Sequence, residues 1–208
     1  MPQLMYKEAR CHHCGLCEKP CTHPECQPFG RCLHICPENC LAVSGRKVSA
    51  AALAEELKKG TAVLGENFGG FTFSGGEPLL QKDFLTELLT LLQAYHLCIE
   101  TSGYTDAETF QTVLGLLDFV IMDLKIADTE SHLRYTGVEN GRILTNFRLL
   151  QQSGKPFIVR TPLIPGITDT EENLSAVAKI VGDAVWEKIP YNEMAGAKYK
   201  MLGMTYQL

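Results

Sequence analysis

A chain of 208 residues, 45% hydrophobic and 21% charged, has the composition of an ordinary globular protein with enough residues for one sizeable core. Its net charge of −5 comes with no basic stripe to neutralise phosphates, which sets nucleic acid aside as a partner. No apolar run approaches the roughly 20 residues of a membrane span, so a membrane partner is not expected either.

Eight of the nine cysteines lie between Cys11 and Cys40. The first four, Cys11, Cys14, Cys17 and Cys21, have the ferredoxin spacing C-x2-C-x2-C-x3-C, in which three thiolates hold one 4Fe–4S cube and the fourth reaches a neighbouring cube. Two cubes take eight thiolates, and Cys26, Cys32, Cys36 and Cys40 complete that number. The second run is irregular: Cys32, Cys36 and Pro37 reproduce the C-x3-C-P ending, but Phe29 stands where another cysteine is expected. A disulfide framework fits poorly, since no apolar signal stretch opens the chain and a long cysteine-poor remainder follows. Structural zinc competes better, because His12, His13, His23 and His34 lie nearby. Zinc leaves the middle thiolate of C-x2-C-x2-C without a purpose, however. Cysteine-rich iron sites and an unpaired Cys98 point to a reducing cytoplasm.

After residue 47 the character changes, and the expected division is an iron–sulfur module over 1–47 and an α/β region over 48–208. Residues 48–59 read as a helix, with Val48, Ala52, Leu53 and Leu57 at helical spacing and Gly60 past the end. Strands are expected at 70–74, 97–101, 119–124, 156–162 and 186–191, runs rich in Phe, Ile, Val and Thr bounded by turn residues. Helices are expected at 81–95, 106–117, 142–153 and 170–181, with Asp106, Asp169 and Thr170 as capping residues. Strict alternation implies a parallel sheet covered by helices. A closed eight-unit barrel needs about 250 residues, which leaves room for only about five units, an open or partial barrel.

In such sheets the chemistry collects where strands end in loops. The runs lead into Gly75-Gly76-Glu77-Pro78, Glu100-Thr101-Ser102-Gly103, Asp123-Leu124-Lys125, Arg160-Thr161-Pro162 and Asn192. Gly75 and Gly76 allow close backbone approach to a ligand, and Glu77 could accept from an ammonium group. Asp123 and Lys125 flank Leu124 and so share one strand face, as ligand contacts or as a salt bridge. Arg160 suits a carboxylate or phosphate, or a structural ion pair.

These motifs, with Arg134-Tyr135-Thr136-Gly137, the 159–166 run Val-Arg-Thr-Pro-Leu-Ile-Pro-Gly and Pro190-Tyr191-Asn192, resemble the activating enzymes of glycyl-radical enzymes. That family of radical S-adenosylmethionine proteins includes pyruvate formate-lyase activating enzyme, and the branch resembled carries an inserted ferredoxin-like two-cluster module. The resemblance implies a partial (β/α) barrel, two module 4Fe–4S clusters and a third, catalytic one. By the same resemblance Gly75, Gly76 and Glu77 hold the cofactor's amino group, Asp123, Leu124 and Lys125 sit at its methionine end with Lys125 facing the carboxylate, Glu100 and Ser102 line it, and Arg160 lies beyond. Asn192 stands where some relatives have a cofactor-contacting histidine.

The implied chemistry is one-electron cleavage of S-adenosylmethionine to a 5′-deoxyadenosyl radical, which takes hydrogen from a glycine of a partner glycyl-radical enzyme. A flavodoxin or ferredoxin is implied as electron donor. The family's C-x3-C-x2-C triplet is absent from the sequence, the nearest run being Cys32-x3-Cys36-x3-Cys40. The expectation is therefore a fragment or truncated form lacking the first strand, inactive alone. A radical enzyme acting on another substrate and a non-catalytic electron-transfer protein are the alternatives.

Overall fold

Short apolar runs flank the cysteine segment on both sides. In the computed structural model of the protein, which describes residues 3–65, 69–192 and 195–203, they form β1 (Gln3–Tyr6) and β2 (Leu41–Ser44). The two pair antiparallel, Tyr6 opposite Leu41, and so draw the ends of the cysteine segment together. The Lys7 amide extends the ladder by donating to the Cys40 carbonyl at 2.8 Å. Between the strands the chain makes only short 3-10 turns, Glu8–Arg10, Leu16–Glu18 and Pro24–Phe29. The chain divides into two compact units, Met1–Lys47 with Asn192–Leu208, and Val48–Tyr191. Among the described residues, 192 and 195–203 thus group with the cysteine segment rather than with the region they follow.

The second unit opens on α1 (Ala50–Leu64), capped by Ser49, whose hydroxyl accepts from the Ala52 amide at 3.2 Å. The helix runs through Gly60, expected as its stop, and ends at Gly65. Then follow β3 (Phe71–Phe73), α2 (Lys82–Leu91), β4 (Leu97–Thr101), α3 (Ala107–Gly115), β5 (Phe119–Asp123), α4 (Thr129–Thr136), α5 (Gly141–Gln152), β6 (Phe157–Leu163), α6 (Glu171–Val181) and β7 (Val185–Pro190). A last helix, α7 (Ala195–Met201), belongs to the first unit. Asp106 and Thr170 cap α3 and α6 as expected. Asp169 does not cap; its carboxylate accepts from the Gly166 amide at 2.7 Å and braces the turn before α6.

The sheet is parallel throughout, with order β3-β4-β5-β6-β7 the same as chain order. It is open, since β3 and β7 each pair on one side only among the described residues. This is the α/β class read from the alternation, and it puts every strand's carboxyl end along one edge of the sheet. Leu97, Ile99, Val120, Met122 and Val159 of the strands pack against Leu88, Leu89, Val113, Phe147, Leu150 and Val177 of the helices. Each of these side chains stabilises the unit by about 1.5–3 kcal/mol through removal from water. Phe147 is wholly buried and meets Phe157 edge-on at 5.9 Å. No helix among the described residues is long and apolar enough to cross a membrane.

Candidate functional site

The loop after β3 carries Gly75 at φ 136°, a backbone region that side chains with a Cβ rarely enter. A Cβ added to Gly75 or Gly76 would meet no atom within 4 Å, so the exposed loop faces open space. Glu77 fixes the loop. One carboxylate oxygen accepts from the Leu79 amide at 3.2 Å and the Thr101 hydroxyl at 2.5 Å, the other from the Ser102 amide at 2.9 Å and hydroxyl at 2.6 Å. A carboxylate offers about four acceptor positions. Those of Glu77 are thus taken by its own chain, which ties the β3 loop to the β4 loop and makes Ser102 part of the tie.

A second network crosses three strands. Glu100 accepts from the Ser74 hydroxyl at 3.2 Å and from the Arg160 guanidinium at 3.1 Å, while the Arg160 Nε donates to Glu187 at 2.9 Å. Parallel register places Arg160 of β6 beside both Asp123 of β5 and Glu187 of β7. The hydrogen bond to Glu187, reinforced by Glu100, raises the Arg160 pKa further, so the guanidinium is permanently charged. Next to it Lys125 Nζ lies 3.4 Å from Asp123, the two on one strand face as alternation required, while Leu124 is buried in the core. Burial pushes the Asp123 carboxyl above its ordinary range; Lys125 pulls it back and Glu100 pushes it further up. The result is three carboxylates and two cations, half-buried, along the sheet's carboxyl edge.

Three asparagines hold the loops that carry these groups. Asn146 donates to the carbonyls of Gly103 and Thr105 at 2.8 and 2.9 Å. Asn140 donates to Ile126 and Ala127, and Asn173 to Lys125 and Thr168. Gly103 sits at φ 72° with the Met122 side chain where a Cβ would stand, which is why only glycine fits this turn.

Gly75, Gly76, Glu77, Glu100, Ser102, Asp123, Lys125 and Arg160 therefore gather on one edge, whereas Asn192 falls in the other unit. Ser74 and Thr101 were legible only as members of their motifs, and Glu187 belonged to none. The signal for Glu187 was a carboxylate within the short strand run Val-Trp-Glu-Lys-Ile-Pro, at the register position of Arg160. A surface groove of ≈ 540 Å³ lies between α2 and α3, lined by Lys82, Glu87, Glu108 and Thr112. A second, of ≈ 520 Å³, is lined by Ile126, Ala127, Gly166 and Ile167 of the loops after β5 and β6.

In the first unit the thiols fall into two groups. Cys11, Cys14, Cys17, Cys36 and Cys40 line a cavity of ≈ 120 Å³ with Tyr6 and Pro37. Cys21, Cys26 and Cys32, together with His23, bring one donor atom each to within 4.8 Å of all the others. The His34 amide, against burial, holds the Cys32 thiol down at about 7. The Cys40 amide likewise lowers Cys36, while burial and the nearby Cys36 push Cys40 up to about 11. Low-pKa thiols reach the thiolate state that metal binding needs.

The profile of the Radical SAM superfamily matches residues 9–176. The chain is 32% identical to the indoleacetate decarboxylase activating enzyme of Tractidigestivibacter scatoligenes, covering all of this chain and 75% of that protein. It is 33% identical to the isethionate sulfite-lyase activating enzyme of Desulfovibrio desulfuricans, over 92% of this chain and 60% of that one, so the chain spans only part of the relatives it matches. Among solved structures, a domain of a pyruvate-formate lyase-activating enzyme from Bacteroides vulgatus superposes with a TM-score of 0.52 and 28% identity, covering 65% of this chain and 94% of that one. SuiB of Streptococcus suis, at 14% identity and a TM-score of 0.60 over 78% of this chain, shares the fold.

Proposed function

We propose, because this chain belongs to the radical SAM superfamily and within it to the activating enzymes of glycyl-radical enzymes, that the carboxyl edge of its sheet holds S-adenosylmethionine for radical generation on a partner glycyl-radical enzyme. The observation that carries the reading is the convergence of Gly75-Gly76, Glu100, Asp123, Lys125 and Arg160 from four successive strands. The donor set suits the cofactor. Lys125 offers a cation to its carboxylate, and Glu100 and Asp123 offer acceptors to its ammonium and ribose groups. Glu77 acts through position, fixing the open Gly75-Gly76 backbone and Ser102 where the cofactor's amino end would lie. Arg160, anchored between Glu100 and Glu187, fixes the Glu100 carboxylate and offsets the acidic cluster.

When bound, a 4Fe–4S cluster supplies the electron for reductive cleavage of S-adenosylmethionine, and the ligating C-x3-C-x2-C spacing is absent from this sequence. Residues 1–47 form a ferredoxin-like module in which the two thiol groups hold two further 4Fe–4S clusters, and the partial barrel spans 48–191 rather than the whole of 48–208. The gathering of eight thiols into two groups supports that reading. The module takes electrons from a flavodoxin or ferredoxin in a reducing cytoplasm, where the thiols stay unpaired.

The test compares the 208-residue chain with a form extended by the triplet-bearing segment of a relative, both reconstituted anaerobically with iron and sulfide. Under dithionite the extended form should yield 5′-deoxyadenosine and the 208-residue chain none. Product from the shorter chain, or none from the longer, contradicts the proposal.

A further inference from the structure

The strand that leads into the cysteine segment ends on an aromatic side chain, and the backbone then turns back on itself. Tyr6 closes β1 opposite Leu41, and the 3-10 turn Glu8–Arg10 follows, with the Cys11 amide donating to the Glu8 carbonyl at 2.9 Å. Tyr6 and Cys11 thus line the same ≈ 120 Å³ cavity, together with Cys14 and Cys17. The hydrogen bond between the Tyr6 hydroxyl and the Cys11 sulfur, ahead of burial, pushes the phenol up to about 12, so it stays protonated as a donor. A second donor reaches the same sulfur: the His13 amide lies 3.3 Å from Cys11 Sγ, aimed there by a backbone φ of 53° that non-glycine residues rarely adopt.

We infer that Tyr6 tunes the reduction potential of the first cluster by donating to the Cys11 thiolate, and that Arg31 is a positioning residue that holds the Tyr6 ring in place. The inference rests on the iron–sulfur reading of the module and takes only the first ferredoxin run, Cys11, Cys14 and Cys17, as ligands of that cluster. The Arg31 guanidinium lies over the Tyr6 ring, 5.6 Å from its centroid, and donates to Glu18 at 3.0 Å. Glu18 follows Cys17 in the chain, and Cys32, next to Arg31, donates its amide to the Cys17 carbonyl at 2.8 Å. The stack is therefore tied at both ends to the loop of the first run. Because Glu18 offsets the guanidinium charge, Arg31 acts on the cluster through the ring it holds rather than through its own field.

Reduction adds one electron, and with it one negative charge, to a cluster already held by thiolates. A donor aimed at a ligand sulfur stabilises the reduced form more than the oxidised one, and hydrogen bonds to the sulfurs are among the terms that set such potentials. The first cluster is thereby easier to reduce than its thiolates alone would make it, which suits it to accept an electron from a flavodoxin or ferredoxin.

The experiment uses the 208-residue chain, reconstituted anaerobically with iron and sulfide and titrated with dithionite, the midpoint of each cluster being read by EPR. Tyr6→Phe keeps the ring and its stack and removes only the hydroxyl. It should leave the iron content unchanged and lower one midpoint by about 59 mV, a tenfold change in a one-electron reduction equilibrium, with the other midpoint in place. After exchange into D2O, the deuteron coupling seen by pulsed ENDOR should weaken in the same variant. Arg31→Gln should lower the same midpoint by less, and should add nothing in the Tyr6→Phe background. Two unmoved midpoints in Tyr6→Phe overturn the inference, as does loss of iron from that variant, which would make Tyr6 a packing residue. A further fall in the double variant would overturn the positioning role of Arg31. Absence of iron from the wild-type chain would overturn the iron–sulfur reading itself, an outcome distinct from iron with unmoved potentials.

Discussion

Replacing Glu77 by Gln leaves the side chain's shape and removes its charge. In the folded protein Glu77 accepts four hydrogen bonds, two of them from the Ser102 amide and hydroxyl at 2.9 and 2.6 Å. Gln keeps one acceptor oxygen and turns an NH2 towards the donors that faced the other, so two charge-assisted bonds are lost and a donor meets a donor. Hydrogen bonds to a charged group contribute about 1.5–3 kcal/mol each, and partial exposure lets water replace some of that, giving a net loss of about 2–3 kcal/mol. For a chain of this size each kcal/mol moves Tm by about 2–4 °C, hence a fall of about 4–12 °C. Trp186 is the sole tryptophan and lies on β7, its indole donating to Thr161 at 2.9 Å, so its fluorescence follows melting of the sheet unit. A double-mutant cycle with Ser102→Ala should return a coupling of about 1 kcal/mol or more. An unchanged Tm with zero coupling would refute the tie between the two loops.

Two further outcomes follow from the same structure. Burial raises the Asp123 carboxyl, so the folded chain keeps this proton to higher pH than the unfolded chain does, and wild-type stability falls as pH rises through that window. Asp123→Asn has no proton to lose; its stability relative to wild type should increase between about pH 4 and pH 7, measured as denaturation midpoints. Phe147→Ala should cost about 3–5 kcal/mol in urea denaturation by emptying the wholly buried site against Phe157.

How much of this was readable in the sequence follows the physics of each element. The five parallel strands were, because β-branched and aromatic runs bounded by turns alternate with helices whose caps, Asp106 and Thr170, lie in plain view. The 97–101 strand matches Leu97–Thr101 in full. Helix α4 was not: its segment Thr-Glu-Ser-His-Leu-Arg-Tyr-Thr is too polar to display an apolar stripe, and only Asp128, accepting from the Ser131 amide at 2.8 Å, announces its start. The β1–β2 pair was missed because its strands have four residues each and join across the cysteine segment without a hairpin turn. At the site, motif order located the strand ends, but the saturation of Glu77 and the Glu100–Arg160–Glu187 chain depend on register between strands, which sequence spacing does not encode. Tyr6 carried no motif; the turn at Glu8–Arg10 brings it to Cys11.

The proposed S-adenosylmethionine site at the carboxyl edge of the sheet turns on Lys125, beside Asp123. Isothermal titration of the triplet-extended, iron-loaded form with S-adenosylmethionine tests it, comparing wild type, Lys125→Ala and, as a control in the cysteine segment, Cys26→Ala. Loss of a charge-assisted contact to the cofactor carboxylate should cost about 1.5–3 kcal/mol, roughly a ten- to hundredfold rise in Kd for Lys125→Ala, with a smaller change for Cys26→Ala. Equal dissociation constants for wild type and Lys125→Ala would contradict the claim and leave Asp123 and Lys125 as a structural ion pair.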